Sequence, residues 1–334
     1  MPGLDRVNVT HDYGTLKEVI VGRIEGMRLP TYSPETLSQV GYAPEESKAR
    51  AAEMHGQMWE ELDPENYQRA VGQVEKLVRF LEVRGIVVHR PDPFTDEQHH
   101  VYDAYNTMGV PMFMRDPVIV IGSSIIETSL RQTMRNKERW AIRRVLREIA
   151  ARPGTQYVSM PYPFPVAMSK ADQATGLFLE GGDVFPLGRD ILVGYNGRTA
   201  TSLQGIEWLQ RYLGSGYQVH PVRLTPEVLH LDDGLATVRE GLAIILREQF
   251  ADGLPEIIKN WDVIEVTKYE ALNYLAGNGL VLKPNEILID SRIPHIAEQL
   301  TAKGVTVHTI EYDAVSLWAG GLRCSHHPIV RELE

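Results

Sequence analysis

The sequence predicts an α/β fold of five blades around one axis, a five-bladed αβ-propeller. Three observations predict it. One supersecondary unit recurs five times along the 334 residues, no linker rich in Pro, Gly and Ser interrupts it, and polar residues recur just before the hairpins. Each unit reads strand, tight turn, strand, helix, strand. Such a unit buries its apolar face only against a neighbour, and five of them closing on themselves define a central axis.

The units follow in chain order, each strand an apolar, β-branched run bounded by turn residues. The first is swollen: a strand at 16–21, a long insertion, a helix at 66–84 and a strand at 86–89. The second has strands at 118–121 and 125–127 around Gly122-Ser123, a helix at 136–151 and a strand at 156–160. The third has strands at 183–187 and 190–194, a helix at 205–213 and a strand at 218–224. The fourth has strands at 235–238 and 243–246, a short helix at 255–260 and a strand at 263–266. The fifth has strands at 280–283 and 287–290, a helix at 294–303 and a strand at 305–310. We read 1–334 as a single catalytic domain with an insertion at about 27–64. That insertion carries Pro30, Pro34 and Pro44, and long insertions in compact domains serve as lids, binding loops or oligomer contacts. A homo-oligomer therefore stays open.

Composition narrows the function. Hydrophobic residues make up 43% and charged residues 23%, as in an ordinary globular protein. No apolar run is long enough to span a bilayer, and no secretory pattern opens the chain. Cys324 is the only cysteine, which rules out an intrachain disulfide and points to a reducing, cytoplasmic setting. The net charge of −10 argues against nucleic-acid binding, which needs clustered positive charge, and is compatible with a cationic substrate. The basic residues between Arg131 and Arg147 read as the solvated face of a helix.

Chemistry gathers at the junctions. Phe113-Met114-Arg115-Asp116 precedes the second hairpin, Glu180-Gly181-Gly182-Asp183 the third, and His230-Leu231-Asp232 the fourth; Gly321-Leu322-Arg323-Cys324 follows the fifth unit. Units related by rotation turn equivalent junctions toward one axis, so Asp116, Glu180, His230, Asp232 and Cys324 should share a cavity. Alone, an Asp before a strand is a turn residue and a buried His is a core residue. Together they supply a soft nucleophile in Cys324, a proton carrier in His230 and an orienting carboxylate in Glu180. Two further carboxylates beside a thiolate need a cation between them, and a guanidinium matches carboxylates through paired N–H donors. The residue types point to a cysteine enzyme acting at a guanidinium carbon.

These four motifs, in this order, resemble the guanidine-modifying superfamily with the pentein fold. It includes amidinotransferases, arginine deiminases and dimethylarginine dimethylaminohydrolases. The resemblance runs from the segment 16–23 to Cys324. It implies that Cys324 attacks the guanidinium carbon, that Asp116 and Asp232 hold its nitrogens, and that His230, backed by Glu180, moves the protons. The intermediate would be an amidino-thioether on Cys324, with neither metal nor cofactor. Within the superfamily, the stretches 88–93 and 205–209 look like amidinotransferases. Asn196-Gly197-Arg198-Thr199, and Arg323 beside Cys324, look like deiminases, in which such arginines bind the substrate carboxylate. The expectation is transfer of an amidino group from arginine, or a similar guanidino compound, to an amine. The alternative is hydrolysis of the guanidino substrate.

Two rivals come from other classes. A zinc site could draw on Cys324, His326 and His327 with His230 or His99–His100, although adjacent histidines suit one metal poorly. The preferred reading of His326-His327 is a solvated loop after the last unit. A non-catalytic pentein binding module is the other rival, and it has no use for Cys, His and acids together at the axis.

Overall fold

The structure is a computed structural model that describes residues 5–28, 56–103, 111–132, 135, 138–161 and 176–333, with 45, 49 and 53 between the first two segments. Most of the insertion, Pro30, Pro34 and Pro44 included, lies outside the described residues, as do 136 and 137 at the expected start of the second unit's helix.

Among the described residues there are five three-stranded sheets, each holding one antiparallel and one parallel pair. The first contains β1 (Thr15–Val21) and β2 (Val87–His89), the second β3 (Val118–Ile121), β4 (Ser124–Glu127) and β5 (Gln156–Ser159). The third contains β6 (Val184–Leu187), β7 (Asp190–Tyr195) and β8 (Gln218–Arg223). The fourth contains β9 (Leu235–Arg239), β10 (Leu242–Ile245) and β11 (Asp262–Glu265), the fifth β12 (Leu280–Lys283), β13 (Glu286–Asp290) and β14 (Thr306–Ile310). The inner strands β3, β4 and β10 are buried along their whole length, and the outer β5 is largely exposed, so apolar runs face the axis and mixed runs face out. Hairpins two to five each turn on one residue with positive φ: Gly122, Gly188, Gly241 and Asn285.

The helices cover the outer strands. Pro64–Glu82 starts at Asp63, whose Oδ1 accepts from Asn66 N at 3.3 Å, and it buries Val74, Leu77 and Leu81. Leu203–Leu213 starts at Ser202 in the same way. In the second unit the helix is broken, as Glu138–Ala141 and Arg143–Ala150.

Three expectations need correction. The first blade takes its third strand from the far end of the propeller: β15 (His326–Glu332) pairs antiparallel with β1 from Thr15↔Glu332 to Val21↔His326. His326 and His327 are therefore not in a solvated loop. They are buried strand residues, because the first unit has no hairpin partner of its own and its inner strand needs one. The short helix at 255–260 is absent. Ile258 N→Pro255 O and Trp261 N→Ile258 O close four-residue turns, and so short a stretch does not recover the cost of a helical nucleus.

Candidate active site

The junctions that sequence singles out do meet. Glu180 and His230 occupy matching positions: each is an extended residue entering a short 3-10 turn, Gly181–Asp183 in one case and Leu231–Asp233 in the other. Neighbouring junctions pack backbone to backbone. A Cβ on Gly181 would lie 1.9 Å from Arg115 O, and one on Gly277 would lie 2.8 Å from Asp233 O. The glycines let adjacent blades approach closely enough for their acids, histidine and thiol to meet.

His230 is the hub. Its Nε2 lies 2.7 Å from Glu180 Oε2, and its Nδ1 lies 3.8 Å from Asp116 Oδ1. Glu180 is fixed in turn by Arg131 N, which donates to Oε1 at 2.9 Å. Burial alone would lower the His230 pKa, but Asp116, the Glu180 hydrogen bond and Asp183 outweigh it and hold the imidazole well above its ordinary value. For Asp116 burial opposes ionisation, yet His230 and Arg135 keep its carboxylate below the usual range. Gly182 N donates to Asp116 Oδ1 at 3.0 Å and Arg135 Nη2 to Oδ2 at 3.0 Å.

Cys324 faces this group from the fifth unit. Its thiol points at Asp232 Oδ2, 3.8 Å away. Burial, with Asp232, Asp116 and Asp233 nearby, pushes its pKa well above that of a free thiol. Asp232 is fully buried and its pKa is raised, first by burial; its Oδ1 accepts no hydrogen bond among the described residues.

Arg323 departs from expectation. It has no donor left for a substrate carboxylate. Nη1 donates to Asp232 Oδ2 at 2.9 Å and to Gly182 O at 3.4 Å. Nη2 donates to Asp12 Oδ1 at 2.9 Å and to Val184 O at 3.0 Å, and Nε donates to Asp12 Oδ2 at 3.4 Å. The guanidinium also lies 3.8 Å over the Phe185 ring. Five N–H groups meet five acceptors, so Arg323 holds Asp232 in place from behind. Arg198 is exposed on the loop after β7, and its carbonyl accepts from Arg131 Nη1 at 3.1 Å.

The basic stretch is a second correction. Arg131, Arg135 and Arg139 are buried, while Arg143, Arg144 and Arg147 are exposed. Arg135 pairs with Glu138 at 2.8 and 2.9 Å as well as with Asp116, and Arg139 Nη2 donates to Thr128 O. Arg135 turns inward here because Asp116 and Glu138 are buried and need a counter-ion, while the side chains of Arg131 and Arg139 donate to backbone carbonyls.

The histidines of the zinc reading do not gather around Cys324 as ligands. His326 Nδ1 donates to Leu322 O at 2.8 Å, and its Nε2 takes a hydrogen bond from Arg115 Nη2 at 3.0 Å. An arginine only donates, so this ring is neutral with its proton on Nδ1. His327 Nδ1 donates to Arg115 O at 3.2 Å. Among the described residues the group able to hold an ion is Asp116, Glu180 and His230.

Sequence reading missed Asn278, Arg135 and Asp12. Asn278 had a signal. It stands in Gly277-Asn278-Gly279, directly before β12, at the junction equivalent to those carrying Asp116, Glu180 and His230. Arg135 and Asp12 lie off the junctions and carry no comparable mark.

The sequence matches the arginine deiminase family over residues 45–250. The chain belongs to the arginine deiminase family. It is also similar to glycine amidinotransferase, mitochondrial, of Gallus gallus, at 23% identity over 94% of this chain and 80% of that one. L-arginine:L-lysine amidinotransferase of Pseudomonas savastanoi pv. phaseolicola is 24% identical over 94% of this chain and 91% of that one. The solved inosamine-phosphate amidinotransferase of Streptomyces griseus superposes with a TM-score of 0.81 at 22% identity, covering 98% and 97% of the two chains. At that identity the likeness establishes the fold, which is the pentein propeller. No described helix is long and apolar enough to cross a membrane.

Proposed function

We propose that the protein is an amidinotransferase that carries the amidino group of arginine, or a similar guanidino compound, to an amine through Cys324. The observation that carries this reading is the buried Asp232 carboxylate, its Oδ2 3.8 Å from the Cys324 thiol and its Oδ1 without a partner among the described residues, with the charged Asp116 at the second junction. Two carboxylates near a thiol suit a planar cation with paired N–H donors.

The same charges give an order of events. The carboxylates keep the thiol protonated while the site is empty of cation. An entering guanidinium takes over the charge balance, the thiol releases its proton to solvent, and sulfur attacks the guanidinium carbon. The S–C bond forms and the C–N bond to the leaving amine breaks as His230 delivers a proton to that nitrogen. The acceptor amine then passes a proton to His230 and attacks the carbon, and the C–S bond breaks to return the thiolate. Glu180 keeps the imidazole aligned throughout. We take 1–334 as one catalytic domain, a reading supported by β15 joining β1 across the length of the chain. A single unpaired thiol fits a reducing, cytoplasmic setting.

Transfer is favoured by the amidinotransferase relatives, whose names carry three different acceptors: glycine, lysine and inosamine phosphate. The acceptor of this chain does not follow from them. Hydrolysis is the second reading, favoured by the arginine deiminase family match. Incubation with arginine, with and without candidate amines, followed by mass analysis of the products, separates the two. Transfer gives ornithine and a new guanidino compound with ping-pong kinetics. Citrulline formed at a rate indifferent to any amine would establish the hydrolase.

A further inference from the structure

Asn278 meets the reacting sulfur, and its orientation is fixed by its own partners. Its Oδ1 accepts from two backbone N–H groups, Arg323 N at 2.9 Å and Cys324 N at 3.1 Å. An amide oxygen can accept there and an NH₂ group cannot, so the assignment of O and N is determined chemically. Nδ2 then faces the other way. One of its hydrogens goes to Asp232 O at 2.9 Å, and the other points at Cys324 Sγ, 3.3 Å away. Two acceptor sites and two donors are all used, and Asn278 is only 2% exposed.

We propose that Asn278 is a further catalytic residue: its Nδ2–H donates to the Cys324 sulfur and stabilises the thiolate. The proposal rests on the reading of Cys324 as nucleophile. Its surroundings supply the reason. The charged or titratable groups that bear on the thiol are Asp232 and Asp233 from the fourth junction, Asp116 from the second, and Tyr312, which faces Cys324 from the segment after β14. The three acids oppose a negative sulfur, Tyr312 stays neutral, and a backbone hydrogen bond at Gly321 favours the anion. Arg323, next to Cys324 in the chain, spends its donors on Asp12, Asp232 and two carbonyls. Asn278 contributes a neutral donor, which stabilises the anion without competing with the substrate cation for the carboxylates. The same side chain holds the backbone of Arg323 and Cys324 against the carbonyl of Asp232. It therefore sets the distance between nucleophile and cation site while it tunes the nucleophile.

Cys324 is the chain's only cysteine, so any thiol reagent reports on this sulfur alone. The experiment is the rate of alkylation by iodoacetamide from pH 6 to 10 for the intact enzyme, Asn278→Ala and Asn278→Ser, with thermal melts of all three. Loss of the donor should slow alkylation about tenfold at neutral pH and displace the profile upward by about one pH unit. Asn278→Ser also removes the amide donor and adds no charge beside the sulfur, so it decides the matter should Asn278→Ala fail to fold. Variants with a lower Tm but an unchanged alkylation profile would make Asn278 purely structural and overturn the proposal. Faster alkylation would also overturn it, since Asn278 would then only shield the sulfur. Neither readout uses turnover. Failure of the nucleophile reading shows separately, as activity retained by Cys324→Ser.

Discussion

At the scale of single residues, His230 makes a prediction whose sign can be worked out. Asp116, Glu180 and Asp183 hold its folded pKa well above the ordinary 6.5. A group raised in this way contributes its stability in full below the unfolded pKa and loses it as pH rises through the folded one. The Tm deficit of His230→Gln should therefore be largest below pH 6.5 and shrink in alkaline buffer. Thermal melts across that range check it. A deficit growing with pH would mean that the imidazole is buried neutral, and the proton delivery assigned to it would fail. The junction acids, His230 and Cys324 were legible in the sequence because each stands at a repeated place in a repeated unit. Arg323 was legible as important but not in its role. Whether a guanidinium turns to solvent or to Asp12 depends on a residue 311 positions away, which no local pattern records.

At the scale of elements, the turn Gly181–Asp183 separates chemistry from folding within two neighbouring glycines. A Cβ on Gly182 would lie 2.8 Å from His230 Cγ and Nδ1 and 2.9 Å from Asp116 Oδ1, so it pushes on side chains of the site. A Cβ on Gly181 would strike the Arg115 carbonyl oxygen at 1.9 Å, which belongs to the backbone of the preceding blade. Gly182→Ala should lower kcat/KM by roughly 100-fold with a modest change in Tm, since small displacements of catalytic groups are that costly. Gly181→Ala should chiefly lower Tm. Equal effects of both substitutions on both quantities would contradict this division. The helical segment after β4 makes a related point. Arg135 is the shared counter-ion of Glu138 and Asp116, and burial raises Glu138 to about 7 even beside it. Arg135→Met leaves two buried acids unpaired and should cost about 3–5 kcal/mol in denaturant unfolding. The sequence showed basic residues here and suggested a wet helix face, because spacing reports periodicity and not which side of the helix meets the core.

At the scale of the whole molecule, the hairpins and third strands of four of the five blades were readable. A hairpin with its crossover helix and third strand is local, and its apolar runs and turn residues are contiguous. The first blade was misread because β1 takes its partner from 326–332, and such a pairing leaves no mark in either segment. That seam carries much of the fold: Ile329, Val330 and Arg331 are buried, and Arg331 Nη1 donates to Gly14 O and Val281 O. Deleting 326–334 should abolish cooperative unfolding, as followed by circular dichroism. A truncated chain that still melted in one sharp transition would show that β1 finds another partner.

The seam begins one residue after Cys324, since Ser325 O receives Gly22 N at 2.8 Å and Val21 pairs with His326. The sulfur therefore sits at the latch of the ring. A fluctuation that parts this latch loosens the chain one residue from the thiol, which Asn278 and Arg115 hold from other blades. Trapping by a reagent too bulky to enter the closed site would count latch openings one molecule at a time. The rate would measure how tightly the circle is shut, with the catalytic atom as its own tamper seal.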